Sequence, residues 1–201
     1  GEKLGLVCVS DKNLVQKVVA GEAEAFNLLV KRWEKKLFNF GLRLTGNRDE
    51  ALDIAQESFT RAFEQIRQLK DPDKFPQWLF RIARNCWISN LRRDQSALTE
   101  SLTNDIEGAP SIEDLLSDHV AVSIERGQRF EQNELRVILA RALNTLPAEQ
   151  RETVVLKIYE GMKFSEIAEI AECPVSTVKS RLYLGLKELR KLLTDQPRGT
   201  T

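Results

Sequence analysis

Apolar residues recur at intervals of three and four through residues 11–95 and again over 131–194, and between these blocks the rhythm stops. A one-sided helix has to bury its apolar stripe against another element, so each block must close on itself as a small helical bundle. Helix breakers are sparse: residues 11–95 hold three glycines and two prolines. No segment alternates with the two-residue period of a strand. The expected fold is all-α: two small helical domains joined by a flexible acidic linker, the second containing a helix-turn-helix. The domains are 11–95 and 131–194, with the linker over 96–130.

Predicted helices cover 11–20, 23–44, 49–69 and 76–93 in the first block. Gly46 in Thr45–Gly46–Asn47 stops the second helix, and Pro72 and Pro76 bracket a loop. In the second block, one helix carries Leu135, Ile138, Leu139, Ala142 and Leu143, and others cover 147–160, 165–172 and 175–193. The linker is rich in Ser, Thr, Asn, Asp and Glu around Gly108–Ala109–Pro110, with one short helix expected near 111–116.

The net charge of zero conceals a pattern. Residues 11–95 hold 16 basic and 12 acidic side chains, residues 96–134 hold 2 and 9, and residues 135–201 hold 11 and 8. Two mildly basic blocks flank an acidic one, which suits an anionic partner for the blocks and repels DNA from the linker. No apolar run reaches the roughly 20 residues of a membrane-spanning helix, and no basic start followed by an apolar core marks a secretion signal. Cys8, Cys86 and Cys173 are scattered and odd in number, which suits idle thiols in a reducing cytosol. A single histidine, His119, supports neither a triad nor a zinc site. There is no glycine-rich phosphate loop or nucleophile elbow. The expectation is a non-enzyme, with no catalytic residues, no metal and no cofactor.

Residues 165–186 read as a short helix, a tight turn with Pro174, and a longer helix, the shape that places its second helix in the major groove. Ile167, Ala168 and Ala171 are expected to face inward from the first helix, and Val175, Val178 and Leu182 from the second. The outer face then carries Ser176, Thr177, Lys179, Ser180, Arg181, Tyr183 and Lys187. Helix N-terminal amides and cations attract phosphate, and Lys or Arg can donate to guanine. The alternative is a solvated amphipathic helix with ordinary surface cations.

Ile167–Ala168, Pro174–Val175 and Thr177–Val178–Lys179–Ser180–Arg181–Leu182 resemble the second DNA-binding domain of the extracytoplasmic-function sigma factors, which reads the −35 promoter element. Leu146–Pro147–Ala148–Glu149–Gln150–Arg151 resembles that family's entry to the domain. Glu172 and Ser176 stand where the family often has Gly, so the turn is strained if Glu172 needs a positive φ. Leu184 and Leu186 stand where many members carry Arg, so no base preference carries over.

The first block holds a second resemblance. Leu52, Ala55, Phe59, Ala62, Phe63 and Ile66 make an apolar stripe, opposite Asp53, Gln56, Glu57, Thr60 and Glu64. Residues 50–59 resemble the family's segment that docks on the clamp helices of RNA polymerase, with Asp53, Gln56 and Glu57 at its contact positions. Residues 78–85, Trp-Leu-Phe-Arg-Ile-Ala-Arg-Asn, resemble the helix that reads and opens the −10 element. The residues implied there are Lys74, Trp78, Arg81, Arg84, Asn85, Arg92 and Arg93. Cations can follow a single-stranded backbone while pockets and rings hold extruded bases. Trp78 and Trp87 can be either core or stacking residues, with helical spacing favouring the core for each, and Leu79 and Ile82 belong to the core.

The resemblance implies an initiation factor. Its partners would be core RNA polymerase and promoter DNA, duplex and single-stranded, with an anti-sigma factor as regulator. The linker would thread a basic channel of the polymerase. The location would be cytoplasmic, or at the inner membrane face where an anti-sigma factor is anchored there. Two other readings remain open: a sigma-like decoy that titrates an anti-sigma factor, and a helix-turn-helix regulator that acts without docking on polymerase.

Overall fold

The computed structural model describes residues 9–100, with the backbone alone over 94–100, and residues 138–194. Most of the expected linker, its short helix, Cys8, His119 and Leu135 lie outside the described residues. All regular structure among the described residues is helical.

The first block folds as α1 (Asp11–Val19), α2 (Glu24–Thr45), α3 (Arg48–Gln65) and α4 (Phe75–Glu100). Their ends follow local chemistry. The Ser10 hydroxyl accepts from the Asn13 amide at 3.2 Å and caps α1. Gly46, at φ 72°, closes α2 in the left-handed conformation, its amide donating to the Leu42 carbonyl at 2.8 Å. The next residue starts α3: Asn47 Oδ1 accepts from the amides of Asp49 and Glu50 at 2.9 and 3.2 Å. Those two acids also favour the positive end of the helix dipole. The pair α2–α3 crosses closely at Gly41, where a Cβ would lie 3.2 Å from the Ala51 Cα.

The 310 turns Ile66–Gln68 and Pro72–Lys74 lead into α4. This helix runs on to Glu100, past its expected end at 93. Nothing in the Asp-Gln-Ser-Ala-Leu-Thr-Glu sequence of 94–100 breaks a helix, because glycine and proline are both absent. Leu29, Leu37, Phe40, Leu44, Ile54, Phe75, Leu79, Phe80 and Trp87 form the centre of the bundle. Phe40 and Phe80 meet edge to face at 5.0 Å, and Trp33 meets Phe80 at 6.1 Å.

The second block has α5 (residues 138–145), α6 (Ala148–Val154), α7 (Phe164–Ala171) and α8 (Val175–Thr194). Residues Val155–Tyr159 continue α6 as a π turn. Gly185 lets α8 approach α6, since a Cβ there would stand 3.0 Å from Val154 Cγ2. Ala142, Leu143, Leu146, Val154 and Leu189 pack around that contact.

The two blocks share one apolar core. Val155, Leu156, Met162, Ile167, Ile170 and Val178 join the cluster that holds Phe75, Leu79 and Trp87. Arg151 fastens the blocks polarly: its guanidinium donates to the Leu44 carbonyl of α2 and, at 2.7 Å, to the Asn144 carbonyl. Burial lowers the pKa of that guanidinium.

Candidate nucleic-acid interface

Two turns of backbone build the helix-turn-helix. Glu166 Oε2 accepts from the Lys163 amide at 2.7 Å and anchors the start of α7, which lowers that carboxyl's pKa. Helix α7 ends at Glu172, whose φ of 52° and ψ of 45° are left-handed. This is the strained position expected from the sequence. The Cys173 amide then donates to the Ala168 carbonyl at 3.2 Å, and α8 begins at Val175.

Val178 is fully buried beneath α8, and Leu182 is half-buried. Ser176, Lys179, Ser180, Tyr183 and Lys187 are exposed, Tyr183 at 70%. Lys179 Nζ stands 5.7 Å from the Phe164 ring. Two expectations need correction. Val175 is not an inner residue; it is exposed at the first position of α8, where the packed part of the helix has not yet begun. Arg181 does not lie on the open face with Lys179. It is half-buried, with Nη1 3.7 Å from Cys173 Sγ, and its charge reaches Glu152 on α6. Thr177 is likewise only half-exposed. Leu184 and Leu186, farther along α8, are exposed.

On α4, Leu79, Ile82 and Trp87 are buried, as their spacing suggested, and Trp78 is half-buried with its ring 6.0 Å from Phe75. Arg81, Asn85, Arg92 and Arg93 are exposed. Arg84 is not: its Nε donates to Glu152 Oε1 at 2.8 Å, and the carboxylate side chain is 1% exposed. Burial raises the Glu152 pKa although Arg84 opposes the shift, and Oε2 has no hydrogen-bond partner among the described residues. Lys74 Nζ lies 3.2 Å from both oxygens of Glu169, and Gln77 Nε2 lies 2.9 Å from Glu166 Oε1. Between these contacts is a cleft of about 460 Å³ lined by Lys70, Lys74, Trp78, Arg81 and Ile170 among others.

On α3, Asp53 and Gln56 are exposed, while Glu57 is half-buried and paired with Arg61 at 2.6 Å. The buried stripe is Ala51, Ile54, Ala55, Ser58 and Ala62. Leu52 and Phe63, expected in the stripe, are exposed at 40% and 48%. The Phe63 ring lies 5.1 Å from that of buried Phe26. Leu52 adjoins Asp53 and precedes Gln56 by one turn, so an exposed apolar side chain borders the polar face.

The family model of sigma-70 region 2 matches residues 29–97, and that of sigma-70 region 4 matches residues 136–189. The chain is 33% identical to the ECF RNA polymerase sigma factor SigW of Bacillus subtilis over 92% of this chain and 97% of the relative. It belongs to the extracytoplasmic-function sigma factors. It is 30% identical to the RNA polymerase sigma-H factor of Pseudomonas aeruginosa, over 91% of this chain and 93% of that one. In fold, the sigma factor matches RpoE of Bartonella quintana, solved in complex with the anti-sigma factor NepR. That match has a TM-score of 0.66 and 25% identity over 86% of this chain and 98% of the other. It also matches the fold of CnrH, solved with the cytosolic domain of CnrY, at a TM-score of 0.64 and 24% identity over 93% and 99% of the two chains.

Some residues of these surfaces escaped the sequence reading. Glu152, Glu166, Glu169 and Gln77 were not singled out, though Glu152 carried a signal. It lies in helical phase with Val155, Leu156 and Tyr159, and a charge in phase with an apolar stripe is marked for burial with a partner. Among the described residues, no group of three or more His, Cys, Asp or Glu could hold a metal ion, and no helix is long and apolar enough to cross a membrane.

Proposed function

We propose that this sigma factor directs core RNA polymerase to promoters with three separate surfaces. The polar face of α3, through Asp53 and Gln56 with Leu52 beside them, docks on polymerase. Lys74, in the turn before α4, and Trp78, Arg81, Arg84, Asn85, Arg92 and Arg93 on α4 take the −10 strand. The outer face of α8, through Ser176, Lys179, Ser180, Tyr183 and Lys187, reads the −35 duplex, with Thr177 at its margin and Arg181 in a supporting position. The observation that carries this reading is the exposed face of hydroxyls and cations on α8, held outward by buried Val178. Such a face supplies donors to phosphate and base edges at the start of a helix. Strand opening needs more than a duplex reader, and the cations and half-buried ring of α4 suit an unpaired strand.

An anti-sigma factor is the regulator this reading expects, since a sigma factor of this fold, RpoE of Bartonella quintana, has been solved with such a partner. The chain acts without chemistry of its own; the polymerase makes the bonds. It works in the cytoplasm, or at the inner membrane face when an anti-sigma factor holds it there. Purified chain mixed with sigma-free core polymerase and a genomic promoter library tests the proposal. Transcripts whose starts share a −35/−10 pair are expected, and they should vanish on charge reversal of Asp53. Absence of both transcription and binding to core would leave a decoy or a simple duplex-binding regulator.

A further inference from the structure

Helix α7 begins at Phe164, and the segment leading into it is pinned. The Met162 amide donates to the Leu156 carbonyl at 3.1 Å, and the Lys157 ammonium donates to the Met162 carbonyl at 2.9 Å. Gly161, at φ 68°, supplies the bend between them. The Lys163 amide donates to Glu166 at 2.7 Å. Phe164 is therefore fixed at its backbone, and its half-buried ring packs on the apolar core. Two cations share that ring. Lys157 Nζ stands over it at 4.7 Å from the centroid, and Lys179 Nζ at 5.7 Å. Both lie within the roughly 6 Å over which an aromatic face attracts an ammonium.

The two lysines are not equivalent. Lys157 is half-buried and committed to the Met162 carbonyl. Lys179 is exposed on α8, and among the described residues no carboxylate pairs with it. An unrestrained lysine loses rotamer freedom when it binds, and that loss opposes binding. A ring held against the core narrows the choice of rotamers before DNA arrives, so less is lost on contact. Lys187 offers the comparison. It is exposed about two turns farther along the same helix, and no ring among the described residues holds it. We propose that Phe164 is a positioning residue for the −35 contact: its ring, carried on the turn that Lys157 braces, aims the Lys179 ammonium at the DNA phosphates. This rests on the reading of α8 given above. It ties the first helix of the helix-turn-helix to a charge on the second, without Phe164 itself touching DNA.

The full chain tests this with a fluorescein-labelled duplex of randomised sequence, read by anisotropy. Phe164→Leu keeps an apolar side chain and removes the ring. It should weaken duplex binding about fivefold, the order that one cation–ring contact supplies. Phe164→Tyr should restore the wild-type affinity. The Phe164→Leu deficit should vanish in a Lys179→Ala background and persist in a Lys187→Ala background, because only Lys179 is held by the ring. A deficit of the same size in both backgrounds would overturn the positioning role, since a merely structural Phe164 weakens every contact of the block alike. So would a Phe164→Leu chain that binds as tightly as the wild type. A second measurement needs neither DNA nor a substitution. In the proton spectrum of the wild type, the ring current should move the Lys179 Cε protons upfield of those of Lys187, and coincident resonances would also overturn the proposal. Lys179→Ala binding as tightly as the wild type would sink the reading of Lys179 as a DNA contact and the proposal with it, whereas the other overturning results leave that reading standing.

Discussion

The Arg84 guanidinium donates to the Glu152 carboxylate at 2.8 Å across the seam between the two helical blocks, and the carboxylate is almost wholly removed from water. Burial of this kind costs several kcal/mol per ion, and the pair regains it only with good geometry and satisfied lone pairs. One Glu152 oxygen lacks a hydrogen-bond partner among the described residues, so desolvation outweighs the attraction and the carboxyl's pKa is raised. A raised carboxyl pKa means the folded chain holds the proton more tightly than the unfolded chain does. The stability of the wild type relative to Glu152→Gln should therefore be highest below the ordinary carboxylate value of 4.5 and fall as pH rises through the raised value. Thermal melts of the two proteins across that range check this, and a difference that grew with pH would contradict it.

Glu172 occupies left-handed backbone at φ 52° with no glycine to relieve it. Glu172→Gly should stabilise the second block by about 1 kcal/mol, and Glu172→Val should weaken it, since β-branched residues tolerate this region worst. Urea unfolding of the full chain, followed by circular dichroism, gives both values.

Gly185 lies where α8 presses on α6, and a Cβ at this position would stand 3.0 Å from Val154 Cγ2. Gly185→Val should cost about 1–3 kcal/mol, because a branched side chain there overpacks the crossing. The same variant should lose duplex binding in step with its stability, which paired melts and anisotropy titrations would show.

Lys179 is exposed on the outer face of α8 and Arg181 is turned inward toward Cys173. Lys179→Ala should weaken binding to a −35 duplex and lower the slope of log affinity against log salt by about 1. Arg181→Ala should leave that slope nearly unchanged. Anisotropy titrations at several salt concentrations separate the two.

Leu52 is 40% exposed next to Asp53. Leu52→Ala should therefore leave the melting temperature almost unaltered yet weaken binding to core polymerase, by about 1 kcal/mol if the side chain is buried on docking. Asp53→Lys should weaken it further. Glu57, already paired with Arg61, should matter less than either. Surface titration against immobilised core polymerase ranks the three.

Much of this architecture was legible in the residue order, because its causes are local. Gly46 before Asn47 ends one helix and caps the next within two residues. The turn after α7, the strain at Glu172 and the burial of Leu79, Ile82 and Val178 follow from spacing and from what each backbone position tolerates. Where the reading went astray, the reason was again physical. Periodicity assigns Leu52, Phe63 and Val175 to the apolar side, but it cannot say how wide a face the neighbouring helices cover, and all three sit at the uncovered margin.

Partnership across the seam belongs to a different level. Arg84 and Glu152 are 68 residues apart, and Lys74 and Glu169 are 95 apart. No helical period links them; the phase of Glu152 with its apolar neighbours marks it for burial, but nothing local names Arg84 as its partner, and Lys74 and Glu169 each look like an ordinary surface charge. Helix limits, caps and the reader motif are set by interactions within a few residues, so the order of side chains suffices to specify them. Which charges meet depends on how two packed bodies share an apolar core, and that is settled only when Ile167 and Ile170 close against α4 and bring Glu166 and Glu169 to its start.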